Sequence, residues 1–357
     1  MPKLIASVNL KNIISNAEEF IKLTKTKLCA VVKADAYGHG AEKVVCALSE
    51  KADFFAVSCL AEAVAIQTAS CGKPILVLAP PTSKREAEEL VRENFRISVT
   101  DLRSARLVAD ACRTCKKRAI VHIKVNTGMN RYGVDEEDFQ TVCAFLSSKS
   151  DRIFVEGLFS HLYTQDRKIC ENQRLSFEKF KGICLEFFPK TVCHLSATFG
   201  ALLGKDYAYD MVRIGLGLYG YVPSGTDGLK GIVKQLKLKK AMKISAVVSQ
   251  SRNYRFGGAG YGLIDEKQIR KAEQEGLSVL QAGYGDGLFR SRGIEEKRNA
   301  LFNCLCMDAC VVSGKKKVGD KVPVLTDAEK LAEKTGTIAY EVLCSVRKRA
   351  ETEYEYE

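Results

Sequence analysis

The sequence predicts a (β/α)8 barrel, a TIM-like α/β fold, followed by a mainly β C-terminal domain. Between Asn9 and about residue 205, short β-branched or apolar runs alternate with helical patterns, which is typical of repeated βα units. After about Pro223, strand-like runs follow one another with Gly-rich turns between them. We therefore assign residues 9–223 to the barrel and 224–357 to the second domain, with residues 1–8 as a segment that can pair with it.

Eight candidate strands account for the predicted barrel, and amphipathic segments such as 41–51, 85–94 and 173–187 separate them. The strands are 28–34, 54–58, 75–79, 96–100, 120–125, 154–160, 192–196 and 211–214. An open doubly wound sheet is the alternative if this count is off by one.

The predicted second domain contains strands at 243–251, 277–283, 303–314 and 321–326. Residues 223–231 form the expected linker, and a short helix ends at Gly336, a residue suited to a helix C-terminus. The acidic and aromatic tail 353–357 is expected to be loose.

Composition argues against several classes of protein. The first residues lack a charged leader with an apolar run, and no apolar stretch reaches the roughly 18 residues of a membrane span, so we predict a cytoplasmic protein without membrane partners. The 14 cysteines lie in apolar segments and indicate reduced core thiols, and Cys112 and Cys115 have no second pair, so no metal is expected. The net charge of +12 is dispersed, which disfavours a nucleic-acid interface.

Lys33 is the first candidate catalytic residue. It stands where an apolar strand meets a Gly-bounded turn, in AVVKADAYGHGA. In a barrel, functional groups gather at the carboxyl ends of the strands, and an amine held partly out of water has a lowered pKa that suits covalent bonding to a carbonyl. The alternative is a surface lysine whose stem lies along apolar surface.

The run around Lys33 resembles the cofactor-lysine signature of alanine racemases, and the likeness recurs in order along almost the whole chain. The further motifs are 124–133, 160–162, 194–198, 212–220, 258–262, 283–290, 306–308 and 337–344. The resemblance implies a homodimer in which the barrel binds pyridoxal 5'-phosphate and the β domain completes the partner's site.

The candidate residues Lys33, Arg131, His161, Ser196 and Arg213 all fall at or just beyond the carboxyl ends of predicted strands. One mouth of the barrel should therefore collect them. A phosphate commonly binds after strands 7 and 8 of such barrels, which here means Ser196 to Thr198 with Gly215 and Leu216. The resemblance assigns the phosphate to Ser196, Tyr37, Tyr340 and the backbone of Gly215 and Leu216; a helix N-cap is the alternative for Ser196.

Residues Gly215 to Gly220 also match the dinucleotide-binding pattern G-x-G-x-x-G. That site needs an acidic residue about 20 positions further on, where this chain reads KQLKLKK. We therefore reject a dinucleotide site.

The resemblance gives Arg213 the position facing the cofactor's pyridine nitrogen, where a permanently charged donor keeps that nitrogen largely unprotonated. It implies that Lys33 works on the D-alanine face and Tyr261, from the partner subunit, on the L-alanine face. His161 would orient Tyr261. A structural ion pair for Arg213, a core histidine for His161 and an aromatic turn residue for Tyr261 are the alternatives.

The resemblance implies that Arg131 binds the substrate carboxylate and that the backbone of Met307 from the other chain lies near it. Lys124 matches a family lysine that is often carbamylated to steady that arginine. Asn126 and Asn130, inside the arginine motif, depart from the family pattern.

The resemblance therefore predicts an alanine racemase, an isomerase that supplies D-alanine for peptidoglycan. The alternatives are a racemase for serine or lysine on the same scaffold, a noncatalytic pyridoxal-phosphate-binding protein, and a decarboxylase. A decarboxylase is expected to carry an acidic residue in place of Arg213, and a cofactor carrier has no need of the domain that bears Tyr261.

Overall fold

The computed structural model describes residues 3–223, 225–261, 265–289, 305–345 and 349–356. The chain forms two compact units. One consists of residues 13–36 and 41–239, and the other of residues 1–12, 37–40 and 240–357. Strand β1 (Leu4–Asn9) belongs to the second of these.

The first unit is an eight-stranded parallel sheet in the order β8-β7-β6-β5-β4-β3-β2-β9. The strands are β2 (Lys27–Val31), β3 (Phe54–Val57), β4 (Ile75–Val77), β5 (Arg96–Val99), β6 (Ala119–Lys124), β7 (Ile153–Phe159), β8 (Val192–His194) and β9 (Met211–Ile214). All eight lie within about one residue of the predicted runs at their first residue, and the predicted runs overshoot at most of the carboxyl ends.

The barrel closes between its first and last strands. Strand β2 pairs with β9 over four residues, and the remaining gap to β8 is bridged by backbone hydrogen bonds from Asp210 to Cys193 (3.0 Å) and from Arg213 to Ser196 (2.9 Å). An open doubly wound sheet has free edges on both sides. The prediction of a (β/α)8 barrel is therefore confirmed.

Helical segments connect the barrel strands. They are α1 (Leu10–Thr24), α2 (Lys33–Gly38), α3 (Ala41–Leu48), α4 (Leu60–Ile66), α5 (Lys84–Arg92), α6 (Leu102–Cys115), α7 (Glu136–Ser147), α8 (Arg167–Phe187), α9 (Thr198–Ala201) and α10 (Lys205–Ala208). Capping side chains mark the beginnings of α6 and α8: Asp101 accepts from the backbone of Ser104 (2.6 Å), and Asp166 accepts from the backbone of Ile169 (3.0 Å). None of the helices in the described part of the chain is long and apolar enough to cross a membrane.

The second unit contains a sheet in the order β12-β11-β10-β1-β14, with β13 also paired to β10. Its elements are β10 (Met242–Arg252), α12 (Glu266–Glu275), β11 (Leu277–Leu280), β12 (Cys310–Ser313), β13 (Lys321–Leu325), α13 (Ala328–Thr335), α14 (Ala339–Ser345) and β14 (Glu351–Glu355). The predicted strand 303–314 shortens to β12, and its residues 303 and 304 lie outside the described part.

One expectation for this part of the chain is wrong. The tail is not loose, because β14 pairs in parallel with β1 from Ile5–Glu351 to Asn9–Glu355. Gly40 helps to hold it, since a side chain there would collide with the hydroxyl of Tyr354. The predicted linker 223–231 contains a 3-10 helix (Asp227–Leu229), which leads into α11 (Lys230–Gln235).

Candidate active site

Lys33 begins a left-handed turn at the carboxyl end of β2. The four residues 34–37 all have φ between 51° and 54°, a region that costs roughly 1–2 kcal/mol per residue for side chains other than glycine. Three hydrogen bonds hold the turn: Ala36 N–H donates to Val32 O (2.8 Å), Ala34 N–H to Glu62 (2.8 Å) and Ala41 N–H to Asp35 (2.7 Å). Such strain concentrates at functional sites, and here it sets the direction in which the half-buried Lys33 leaves the strand.

Arg213, on β9, is buried and held by four short hydrogen bonds. Its Nη1 donates to Nδ1 (2.9 Å) and to the carbonyl oxygen (2.8 Å) of His194, and its Nη2 donates to the carbonyl oxygens of Ser160 (2.6 Å) and Leu195 (3.0 Å). Nη2 also lies 3.4 Å from Nδ1 of His161. Among the described residues no hydrogen bond uses the Nε–H, so one donor remains for a ligand. No carboxylate pairs with the guanidinium within the described chain.

The charge of Arg213 persists near neutrality. Burial lowers its pKa to about 10, which still leaves it protonated at pH 7. Burial, and then Arg213, lower the pKa of His161 and of His194 well below the usual range. Both imidazoles are therefore neutral, and His161 can exchange a hydrogen bond without adding charge.

Lys124 ends β6 as a buried amine among cations. Burial, followed by the charges of Arg213 and Arg131, lowers its pKa to about 7. Its Nζ lies 5.0 Å from the centre of the Phe159 ring, and the guanidinium carbon of Arg213 lies 5.3 Å from the same ring. The face of the Phe159 ring attracts both cations through cation–π interactions. His194 also stacks on Phe159, with centroids 4.9 Å apart.

Arg131 stands exposed on the loop between β6 and α7, and Asn126 organises that loop. The Asn126 amide donates to Asn130 (2.9 Å) and Asp135 (2.7 Å), while its oxygen accepts from the backbone N–H groups of Gly128 and Asn130 (both 3.1 Å). The two asparagines that depart from the family pattern are thus bonded to one another and shape the arginine loop.

Ser196 and Thr198, which follow β8, are neighbouring hydroxyl residues with different hydrogen-bond partners. Ser196 Oγ donates to the carbonyl oxygen of Tyr207 (2.6 Å), so its one proton is already used. Ser196 is not the helix N-cap: α9 is capped by Ala197 without a side-chain bond. Thr198 Oγ1 instead accepts from the N–H of Gly217 (3.1 Å), beside the start of the 3-10 helix Leu216–Tyr219. Thr198 therefore keeps a proton to donate where a phosphate is expected.

Tyr37 and Tyr340 lie together in the other compact unit, with ring centroids 5.9 Å apart. Burial is the main cause that raises the pKa of Tyr37 above its usual range and the pKa of Tyr340 to about 12. Both phenols are therefore neutral hydrogen-bond donors near pH 7.

Tyr261 and Met307 are large side chains exposed to solvent, at 77% and 54%. Backbone hydrogen bonds from Gly285 to Met307 O (2.9 Å) and from Tyr284 to Cys306 O (3.1 Å) fix the Met307 loop, and the Arg349 side chain donates to Asp308 (2.8 Å). Gly262 and Arg290, which end two of the family-like motifs, lie outside the described residues.

Sequence reasoning missed several polar residues of the site. Thr198 was predicted only as part of the phosphate-binding segment from Ser196 to Thr198, His194 lay inside a family-like motif without a role of its own, and Gln173 had no motif at all. Gln173 is buried and donates to Thr127 Oγ1 (3.1 Å) and to His161 O (3.1 Å), which ties the loop after β6 to the loop after β7. Only its burial on a helix could have marked it, and burial is not visible in a single sequence.

Comparisons with known proteins identify the family of the chain. The N-terminal domain of alanine racemase matches residues 8–223 and the C-terminal domain of alanine racemase matches residues 241–354. The chain is 32% identical over 372 residues to an alanine racemase of Francisella tularensis subsp. tularensis (strain FSC 198), covering 97% of each chain. An alanine racemase of Francisella philomiragia is 32% identical over 368 residues, again with 97% coverage of both.

Solved structures show the same fold. The alanine racemase of Clostridium difficile 630 superposes with a TM-score of 0.86 at 28% identity, covering 99% of this chain and 96% of that one. The Bartonella henselae alanine racemase, solved with covalently bound pyridoxal phosphate, gives a TM-score of 0.80 at 24% identity over 99% of this chain and all of that one. These matches define the class as amino-acid racemases, which are isomerases. Because both domain models match in order over most of its length, the chain belongs to the alanine racemase family.

Proposed function

We propose that this protein is a pyridoxal-phosphate-dependent alanine racemase that interconverts L- and D-alanine. The observation that carries the proposal is Arg213: four of its N–H groups are fixed by the protein, and the Nε–H is left for the ring nitrogen of a cofactor. A decarboxylase is expected to place an acid there instead.

The donor set suits pyridoxal phosphate. Lys33 offers an amine for the aldehyde, and Thr198 with the backbone of Gly215 and Leu216 offers neutral donors for the phosphate. Tyr37 and Tyr340 are assigned to the phosphate by the family resemblance alone. The first N–H groups of a helix have no partners inside it, which favours an anion at the start of the 3-10 helix after β9. Ser196 stays a prediction, with its proton directed to Tyr207. When bound, the cofactor withdraws electrons from the α-carbon of the attached amino acid.

Two residues move the α-proton. A single base tends to return the proton to the side it came from, so racemisation needs a group on each face. We assign Lys33 to the D-alanine face and Tyr261 of a second subunit to the L-alanine face. A homodimer explains why Tyr261 and Met307 are exposed in a single chain. His161 is neutral, and near Arg213 it can hold the tyrosine hydroxyl in place.

Arg131 binds the substrate carboxylate, with the Met307 backbone of the second subunit beside it. Arginine suits this task because its guanidinium matches a carboxylate with two parallel hydrogen bonds. Carbamylated Lys124 holds Arg131, since the carbamate replaces a repelling cation with an anion.

The test is formation of D-alanine from L-alanine by the purified protein with added pyridoxal phosphate, followed by a coupled D-amino-acid oxidase. We expect activity in both directions, and expect Lys33→Ala to lose both activity and the visible absorbance of the lysine-bound cofactor. Lys43→Ala, at an exposed site on α3, is the matched control and should keep both. Cofactor absorbance without racemisation of any amino acid would refute the proposal.

Relative kcat/KM for alanine, serine and lysine separates this function from that of another racemase. We expect alanine to be preferred, because the resemblance to alanine racemases places Met307 and Tyr340 beside the substrate side chain, where their bulk favours a small one. The cytoplasmic location and the supply of D-alanine for peptidoglycan stay predictions.

A further inference from the structure

A continuous line of hydrogen-bonded side chains runs through the barrel interior, away from the candidate site. It starts at Arg213, whose Nη1 lies 2.9 Å from Nδ1 of His194. Nε2 of His194 lies 2.9 Å from Nδ1 of His122, and Nε2 of His122 lies 3.0 Å from Oε2 of Glu156. Both histidines are fully buried, so no water competes for these bonds.

The direction of every bond in this line follows from its two ends. A guanidinium only donates, so Nδ1 of His194 accepts and its single proton is on Nε2. That proton is donated to Nδ1 of His122, whose own proton is then on Nε2 and is donated to Glu156. Burial is the main cause that lowers the pKa of both histidines, so both rings are neutral. A second proton on His194 would go to Nδ1, where its N–H would face the N–H groups of Arg213 and no hydrogen bond could form.

The fold places Glu156 at the end of this line by a local irregularity. In the pairing of β6 with β7, Val121 faces Val155 and His122 faces Gly157, so Glu156 is an extra residue without a register partner. Such β-bulges re-aim side chains next to functional sites. Gly157 completes the arrangement, because a Cβ there would collide with the His122 ring.

Arg96 fixes the carboxylate of Glu156. Its Nε donates to Oε2 (3.1 Å) and its Nη2 to Oε1 (3.2 Å). Hydrogen bonds from His122 and Arg96 outweigh burial and lower the pKa of Glu156 to about 2. The carboxylate is therefore ionised at any pH at which the protein is studied, and it presents only acceptors.

We propose that Glu156 is a positioning residue for the reaction: through His122 and His194 it fixes the donor pattern that holds Arg213 toward the cofactor ring. The role of Arg213 rests on the proposed function, whereas the order of protons along the line does not. Glu156, at one end of the line, can only accept hydrogen bonds, and Arg213, at the other end, can only donate them. Every neutral ring between them is thereby held in one tautomer.

A glutamine at position 156 breaks this order when its NH2 takes the place of Oε2, whereas an NH2 in the place of Oε1 faces only Arg96 and leaves His122 its acceptor. Both carboxylate oxygens accept from Arg96, so the amide NH2 of glutamine must face a donor in either orientation. If the NH2 faces His122 instead of Oε2, it reverses the proton on His122, then the proton on His194, and sets an N–H against Arg213.

The test is ¹⁵N NMR of histidine-labelled protein, in which only four histidines contribute. Without cofactor, the wild type should show His122 and His194 as neutral rings protonated on Nε2. Glu156→Gln should populate the Nδ1-protonated form of at least one of them, and Glu186→Gln, at an exposed position of α8, should not. Signals are assigned with His122→Gln and His194→Gln.

Racemisation gives the second readout. We expect Glu156→Gln to lower kcat about ten-fold, with a smaller effect on KM. Loss of a residue that orients a ligand-binding residue typically has an effect of about this size. A wild-type spectrum with either histidine cationic or protonated on Nδ1 overturns the proposal whether or not a variant folds. Changed tautomers with an unchanged kcat also overturn it. An ordered line in a protein that does not racemise alanine would refute the proposed function instead.

Discussion

Carbamylation of Lys124 is the prediction that depends most directly on the surroundings of one side chain. The amine is 5% exposed and lies near Arg213 and Arg131, and its pKa is lowered to about 7. In the reaction, the unprotonated Nζ attacks the carbon of carbon dioxide and loses a proton. The Lys124 side chain, otherwise a cation near two arginines, thereby becomes a carbamate anion.

The magnitude follows from the pKa. At pH 7 about half of the Lys124 amine is unprotonated, compared with about one part in 2,500 for an ordinary lysine of pKa about 10.4. Lys124 should therefore be roughly a thousand-fold richer in the reactive form than a surface lysine. The sign with pH is fixed: below pH 7 the amine becomes protonated and the carbamate should decline.

The assay is ¹³C NMR of the protein in labelled bicarbonate at pH 7 and 8. We expect one slowly exchanging carbamate signal that disappears in Lys124→Met and persists in Lys43→Met, a change at an exposed position. The thermal midpoint of the wild type should rise with dissolved carbon dioxide, because the new anion pairs with the two arginines. Absence of the signal in the wild type, or its survival in Lys124→Met, would refute the reasoning.

Three further predictions test other parts of the site. Tyr261→Phe should keep cofactor absorbance but lower L-to-D racemisation by about 10²- to 10⁴-fold, the contribution typical of an acid/base group. Tyr356→Phe, at another exposed tyrosine, should leave the rate unchanged. Full activity of Tyr261→Phe would defeat the assignment of Tyr261. Thr198→Ala should weaken cofactor binding in a spectroscopic titration by about ten-fold, since a hydrogen bond to a charged group is lost, and Ser196→Ala should weaken it less; the reverse order would return the phosphate to Ser196. Gly157→Ala should lower the free energy of unfolding in urea by about 1–3 kcal/mol through the clash with His122, whereas Gly182→Ala, with open space around it on α8, should not; equal stability of the two would remove the crowding argument.

The sequence contained enough to predict the barrel, because its strands are apolar runs separated by amphipathic helices. Ile75–Val77 and Met211–Ile214 follow polar or Gly-containing segments that mark their first residues clearly. The tail was harder to predict. Glu351–Glu355 alternates charged and semi-polar residues like a disordered end, and it is a strand only because β1 offers an edge about 340 residues earlier in the chain.

The sequence named the candidate site residues one by one, but their hydrogen bonds and backbone conformations could not be predicted from it. Motifs located Lys33, Arg131, His161 and Arg213, yet nothing in Ala34 to Tyr37 indicates four successive positive φ angles, since alanine and tyrosine avoid that region. Ser196 and Thr198 are two hydroxyl residues two positions apart, and only the hydrogen bonds separate them.

The cations at the barrel mouth explain what this site is built to receive. After burial, the charges of Lys33, Lys124, Arg131 and Arg213 all contribute to lowering the pKa of His161, so four positive groups act on one neutral ring. Buried like charges raise the energy of the empty site, and anions lower it. A cofactor phosphate, a substrate carboxylate and a carbamate on Lys124 are three such anions. Binding at this mouth should therefore weaken as salt is added, because the same charges that attract these groups are screened.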